Sequence, residues 1–340
     1  MSLPFVSIIC PVYNEEKHIE HCIESVLQQD YPKDLLEILF IDGMSTDKTR
    51  TIIAQYTKEY SFIKLLDNPK KIVPCALNLG IQSAVGEIII RLDGHCDYPP
   101  NYISSLAGYL YELKADNVGC VINTQPADNS IACRAMAIAS SHKFGVGNSK
   151  FRTGTKNITE ADTVPFGCYR REVFDKIGLF DEELVRNQDD EFNARLINAD
   201  GKIYLIPDLI INYTARDSVV KMMKMFYQYG LFKPLVNKKL GSPATVRQFF
   251  PAAFLCGLVL GAVLSCFFSI IFLLYGTIIA LYFFAGLCIG IGKIKSCKDF
   301  GLAIILPVTF FLIHASYGWG YLKGLYKIMT HSTFQATVNR

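Results

Sequence analysis

The stretch Glu87–Pro100, EIIIRLDGHCDYPP, ends an apolar run at Asp93-Gly94-His95. A carboxylate and an imidazole one residue apart can reach one divalent cation if the loop turns at the glycine. Two other apolar runs end in polar side chains. Phe5–Cys10 leads into Pro11-Val12-Tyr13-Asn14-Glu15, and Leu36–Ile41 ends at Asp42. Further on, Gln188-Asp189-Asp190-Glu191 precedes Arg195. Three adjacent acids at a helix start suit the helix dipole, and Asp189 could simply cap. For three acids close to a metal site, a functional role stands at even odds with that reading. No GxGxxG follows the first run and no GxxxxGK[ST] occurs, so phosphate charge must be met in another way, for which a metal on Asp93 and His95 would serve.

These residues need elements to hold them. The runs Phe5–Cys10, Leu36–Ile41, Phe62–Leu66 and Glu87–Leu92 predict strands. Helical spacing predicts helices over 15–29 (capped by Asn14), 48–60, 74–85 and 102–113. Strand and helix alternate, which argues for a mainly parallel sheet with helices on both faces. Ligands of such sheets bind beyond the carboxyl ends of the strands, where the polar residues fall. A strand over 118–123, a helix over 131–144 and a helix over 172–177 follow, with the rest of 125–165 read as loops.

The second half has another character. The 340-residue chain is 51% hydrophobic, with a mean hydropathy of +0.25. Phe249–Gly292 is uncharged, and His314 is the one titratable side chain besides tyrosine in Phe300–Leu322. A bilayer core of about 30 Å takes about 20 apolar helical residues. Spans are therefore expected at 250–271, 273–292 and 300–322, the last less regular because of Pro307, Gly318 and Gly320. After residue 248 there are six Lys/Arg and one Asp/Glu, so the net charge of +3 comes from this end. Nothing suggests a nucleic-acid surface. An apolar stripe at Val219, Val220, Met223, Phe226, Tyr227 and Leu231, with Lys221 and Lys224 off it, predicts an amphipathic helix at the lipid interface. The lysines flanking the first hairpin place the preceding domain in the cytosol. Eleven cysteines without a CxxC pair read as buried free thiols of a reducing compartment, and no secretory signal opens the chain.

Together, Pro11-Val12-Tyr13-Asn14-Glu15, Ile41-Asp42-Gly43-Met44-Ser45-Thr46-Asp47, Asp93-Gly94-His95 and Gln188-Asp189-Asp190-Glu191 with Arg195 resemble family 2 glycosyltransferases, and among these the succinoglycan-type exopolysaccharide enzymes. The resemblance implies a GT-A fold, a nucleoside-diphosphate sugar donor with UDP-sugars foremost, Mg2+ or Mn2+, and inversion by direct displacement. Carried over by position, Asp189 is the general base. Pro11, Tyr13, Glu15, Asp42 and Asp93 bind the nucleotide-sugar, and Asp93 and His95 hold the metal. Gly167, Asp190, Glu191 and Arg195 support the donor and acceptor site.

Three departures stand out. Gly43 replaces a usual Asp, His95 replaces the second acid of DxD, and Gln188 replaces a usual Glu beside the base. The QxxRW signature of processive synthases is missing, which favours transfer of a single sugar. The expected organisation is a catalytic domain over 1–215, an interfacial segment over 216–248, membrane helices over 249–322 and a tail over 323–340. The expected activity is transfer to a lipid-linked acceptor in surface-polysaccharide assembly at the plasma membrane. A polyprenyl-phosphate sugar synthase and a non-catalytic scaffold with a degenerate transferase domain are the alternatives.

Overall fold

Residues 3–334 are described by the computed structural model; the last six residues of the expected tail lie outside them. The first apolar run forms β1 (Val6–Val12) and the second β2 (Leu36–Asp42), both buried at every position. Strands covered on both faces need continuous apolar sequence, which explains their composition. β3 (Ile63–Asp67) and β4 (Ile88–Arg91) complete a parallel half-sheet in the order β3-β2-β1-β4. The helices Ile19–Leu27, Thr49–Glu59 and Val73–Ser83 connect its strands.

The sheet is mixed beyond β4. β5 (Asn117–Gln125), β6 (Thr159–Glu160), β7 (Cys168–Arg170) and β8 (Ile203–Thr214) extend it in the order β4-β7-β5-β8-β6. β7 runs antiparallel to both β4 and β5, and β6 antiparallel to β8. The mainly parallel sheet expected from the alternation therefore holds for the first half only. β8 has no counterpart among the predicted strands, because Pro207-Asp208 interrupts its pattern.

A buried polar knot sets the register of β4. Ser7 Oγ donates to Glu37 Oε1 at 2.5 Å, and the Val85 N–H donates to the same oxygen at 2.7 Å. Lys64 Nζ donates to Glu37 Oε2 at 2.9 Å, and the Gly86 N–H donates to Ser7 Oγ at 2.7 Å. Burial pushes the Glu37 carboxyl up, but these bonds from Ser7, Val85 and Lys64 outweigh it and hold it below its usual value. One glutamate thereby ties β1, β2 and β3 to the entry of the strand that carries Asp93.

The chain divides into two compact units. One comprises the chain to Asn123 with Gly154–Tyr213; the other comprises Thr124–Thr153 and the chain from Thr214 onward. The second unit takes in a stretch that chain order would put among the strands. It carries 17 Lys/Arg against 3 Asp/Glu, leaving 17 against 28 on the first. This segregation is far larger than the count after residue 248 suggests.

In the second unit, the helix expected over 131–144 stops at Ser141. His142 is extended, and its Nδ1 accepts the Phe144 N–H at 3.1 Å to start a short helix, Lys143–Val146. The amphipathic helix runs over Val219–Leu240. Its Met222, Met225 and Phe226 are buried in a cluster with Leu302, Leu306 and Phe310, while Val219 and Val220 stay exposed. Of the stripe expected to meet lipid, Phe226 and Leu231 are buried in protein and Met223 packs against this cluster. A Cβ on Gly230 would lie 2.0 Å from the Tyr317 carbonyl oxygen, and one on Gly320 would lie 2.1 Å from that of Tyr227. Glycine at both positions lets the two helix backbones touch.

Three segments are long and apolar enough to cross a membrane: Val246–Ser265, Ser269–Ile291 and Cys297–Met329. The third contains one uninterrupted helix, Phe300–Met329, that runs through Pro307, where a less regular segment was expected. Cys256, Cys266, Cys288 and Cys297 are exposed rather than buried: Cys256 and Cys288 lie on helices with little protein around them, Cys266 just past the end of one and Cys297 in the short turn before Phe300. Cys10, Cys22, Cys75, Cys96, Cys120, Cys133 and Cys168 are buried free thiols.

Candidate active site

The loop after β1 is locked to the loop after β2. Asn14 has a left-handed backbone (φ 53°). Its N–H donates to Ser45 Oγ at 2.8 Å, and its Oδ1 accepts the Thr46 N–H at 2.8 Å. Asn14 was expected to cap the next helix, but that helix starts at Ile19 and its N-cap residue is His18, with no side-chain cap. The Glu15 N–H donates to Thr49 Oγ1 at 2.7 Å, which seats the Glu15 side chain in the interior.

Asp42 is fully buried. Ser45 donates through N to Oδ2 at 3.0 Å and through Oγ to Oδ1 at 2.5 Å, and Arg50 Nη1 donates to Oδ2 at 2.6 Å. Both oxygens are thus engaged by the loop and the following helix. Pro11 lies inside β1 opposite Ile41 and is buried. Tyr13 is half-buried, and a Cβ on Gly43 would lie 3.3 Å from its Cδ2. The departure at Gly43 leaves the space that this ring occupies.

Asp93, Gly94 and His95 follow β4 in a tight turn. The Asp93 N–H donates to the Tyr98 hydroxyl at 2.7 Å, and the Cys96 N–H donates to the Asp93 carbonyl at 3.4 Å. His95 Nδ1 lies 2.7 Å from Asp93 Oδ1 and 3.4 Å from Glu15 Oε1. The ring centroids of His95 and Tyr213 are 5.7 Å apart. One ligand atom from each of Glu15, Asp93 and His95 falls within 4.8 Å of the other two. The Asp93 carboxylate outweighs burial and, helped by Glu15, pushes the imidazole up to about 10.

Two carboxylates and an imidazole converging at this spacing fit a divalent cation of the Mg2+, Mn2+ or Zn2+ class. The turn spacing identified Asp93 and His95. Glu15 joins them only because β1 and β4 are neighbours in the sheet.

Asp189 sits in the first turn of the helix Gln188–Asn198, whose N-cap is Asn187 at φ 62°, without a side-chain cap bond. It does not cap. Its two oxygens accept from Arg91 Nη1 of β4. Burial works against the charge on Arg91, but Asp189 and then Asp93 outweigh it and hold the guanidinium above its usual range.

Three anchors fix that helix. Phe192 is buried among Tyr169, Phe174 and Phe180. Asn193 Oδ1 accepts from Asn117 Nδ2 at 2.9 Å, and its Nδ2 donates to Thr163 Oγ1 at 2.8 Å. Arg195 donates to Glu191 Oε1 and Oε2 at 2.7 and 2.9 Å, to the Leu179 carbonyl at 2.8 Å and to the Ile177 carbonyl. The structure thus places Glu191 and Arg195 in an internal clamp that holds the 177–179 turn, while Asp190 is half-buried beside Asp189. Gly167 accepts the Arg91 N–H at 3.0 Å on its carbonyl. A Cβ there would lie 2.5 Å from Asn117 Oδ1, so this glycine permits close packing at the β4–β7 junction. Sequence reasoning missed Arg91, Asn117, Asn193 and Thr163, whose partners lie far away along the chain.

A mixed sheet in this order, with acids and a histidine gathered beyond β1 and β4, belongs to a GT-A glycosyltransferase. The chain is a member of glycosyl transferase family 2, whose sequence model matches residues 7–178. The match spans the first three motifs, and Gln188–Arg195 lies beyond it. The resemblance read from those motifs is borne out, and a non-catalytic scaffold gives way to a glycosyltransferase.

Among its relatives is the dolichyl N-acetyl-alpha-D-glucosaminyl phosphate 3-beta-D-2,3-diacetamido-2,3-dideoxy-beta-D-glucuronosyltransferase of Methanococcus voltae. The two are 33% identical over 339 residues, covering 97% of this chain and 99% of that protein. Succinoglycan biosynthesis protein ExoA of Rhizobium meliloti is 31% identical over 260 residues, covering 76% of this chain and 77% of ExoA. In fold, the chain is similar to the mannosyltransferase PcManGT of Pyrobaculum calidifontis, solved with GDP-Man and Mn2+. The TM-score is 0.59 at 17% identity, over 96% of this chain and 88% of that one.

Proposed function

We propose that this chain is a membrane-bound inverting glycosyltransferase. It moves one sugar from a nucleoside-diphosphate donor to a saccharide already carried on a polyprenyl phosphate or diphosphate, in the assembly of a surface or secreted glycan. The observation that carries this reading is the pairing of two sites on one strand end. The cluster Glu15, Asp93 and His95 lies beyond β4, and Asp189 is bonded to the last residue of β4. Support for the acceptor class comes from the Methanococcus relative, whose name specifies N-acetylglucosamine on dolichyl phosphate, aligned over nearly the whole of both chains. The apolar helices suit such an acceptor, and the catalytic unit faces the cytoplasm in this reading.

Glu15, Asp93 and His95 hold the divalent ion, which when bound supplies positive charge to the leaving diphosphate. Tyr13 and Glu15 border the nucleoside, with Pro11 behind them. Asp42 shapes that pocket through Ser45 and Arg50. Asp189 takes the proton of the acceptor hydroxyl as its oxygen bonds to the anomeric carbon and the carbon–oxygen bond to the diphosphate breaks. Asp190 lies beside the acceptor, with Gly167, Glu191 and Arg195 keeping the helix and strand in place.

The test is a donor screen on membranes carrying lipid-linked saccharides or bare polyprenyl phosphate, with mass-spectrometric readout. Elongated lipid-linked saccharides are the expected product, and product on bare polyprenyl phosphate alone would make the chain a lipid-phosphate sugar synthase. In the same assay Asp189→Asn loses at least about a hundredfold in turnover and keeps nucleotide binding. Retained turnover would remove Asp189 from the role of base.

A further inference from the structure

Arg91 is the last residue of β4, and Asp93 follows two residues later in the turn beyond it. Asp93 belongs to the cation cluster, and Arg91 reaches across to both oxygens of Asp189. The Arg91 side chain is 13% exposed, against 31% for Asp189. Its guanidinium lies 5.6 Å from the Phe166 ring centroid, and its backbone N–H is fixed on Gly167. Its Nε is buried and makes no hydrogen bond among the described residues. Within those residues, the side-chain hydrogen bonds of this arginine run to one carboxylate, from a mount fixed by backbone and ring. A surface ion pair would not be built this way. Asp189, by contrast, has no second side-chain anchor among the described residues. It stands in the first turn of its helix, where a carboxylate is free to take several rotamers.

We infer that Arg91 is a positioning residue for the general base: it fixes the Asp189 carboxylate relative to the donor seat by tying it to the end of β4, from which the turn with Asp93 and His95 follows directly. This deepens the proposed function and rests on Asp189 being the base. The arrangement refers both ends of the displacement to one rigid element. The acceptor-side carboxylate and the donor-side cluster are then held at one separation. Arg91 touches neither substrate in this role, so its loss acts on the bond-making step and leaves donor binding alone.

The experiment uses the full chain in nanodiscs, with the donor–acceptor pair returned by the screen and UDP with Mn2+ as the binding probe. Arg91→Met is expected to lower kcat about a hundredfold with donor KM changed less than about threefold, the scale set by a misplacement of about 1 Å. Arg91→Lys keeps part of the activity, as a point charge replaces a fork. Millimolar methylguanidine partly restores Arg91→Ala, which loss of packing would not allow. A parental kcat in Arg91→Met, or a loss confined to KM, overturns the positioning role. Asp189→Asn is run alongside. If that variant turns over, the base assignment itself falls. If it is inactive while Arg91→Met matches the parent, only the role of Arg91 falls.

Discussion

In the proposed metal site, His95 has to give up a proton to take the ion, and its carboxylate neighbours set the direction of the effect. With Asp93 at 2.7 Å and Glu15 at 3.4 Å, the metal-free imidazole is pushed up to about 10 from its ordinary 6.5. That gap corresponds to about 5 kcal/mol of preference for the imidazolium within this carboxylate pair. A raised value means this stabilisation is fully present below 6.5 and is lost as the pH rises through about 10. A divalent ion needs the neutral ring, so binding must release the proton. Apparent Mn2+ affinity is therefore expected to rise about tenfold per pH unit from pH 6.5 to about 10, with about one proton released per ion. Isothermal titration in two buffers of different ionisation enthalpy measures both quantities. His95→Asp removes this proton exchange, so its affinity curve flattens above neutral pH while binding and transfer persist. Affinity that is level from pH 6.5 to 8.5 in the parent chain, or binding without proton release, would refute the exchange and return His95 to a loop residue. Asp93→Ala removes a proposed ligand and is expected to abolish metal-dependent nucleotide binding.

Two further substitutions check the structural side. Arg195→Ala strands the buried Glu191 carboxylate and frees the 177–179 turn. It should cost about 3 kcal/mol, the low end for a buried pair because Arg195 is 28% exposed. Thermal unfolding of the purified chain should drop accordingly, and unchanged stability with lost donor binding would put Arg195 back among the substrate contacts. Gly320→Val forces a Cβ to within 2.1 Å of the Tyr227 carbonyl oxygen. It should unpack the helix Val219–Leu240, read as early proteolysis there, while UDP–Mn2+ binding survives; an intact helix would show that the backbones have room to part.

Much of this protein was legible in the sequence because the signals are local. Uncharged runs of span length, strand-like runs ending in Glu15, Asp42 and Asp93, and three acids opening a helix each depend only on neighbours along the chain. They led to the fold class, the apolar helices and the family. What they could not supply was pairing between distant segments. Glu15 meets His95 because β1 lies beside β4. Asp189 meets Arg91 across 98 residues of chain, and Arg91 by itself reads only as the last residue of an apolar strand. Glu191 and Arg195 turn inward as an i,i+4 clamp, which the motif does not distinguish from a pair facing a substrate. The stretch Thr124–Thr153 joins the basic, apolar unit although it lies between strands of the acidic one. Spacing along a chain fixes which face of an element a residue occupies. Which other face it meets depends on strand order and helix crossing, and only the folded chain decides those.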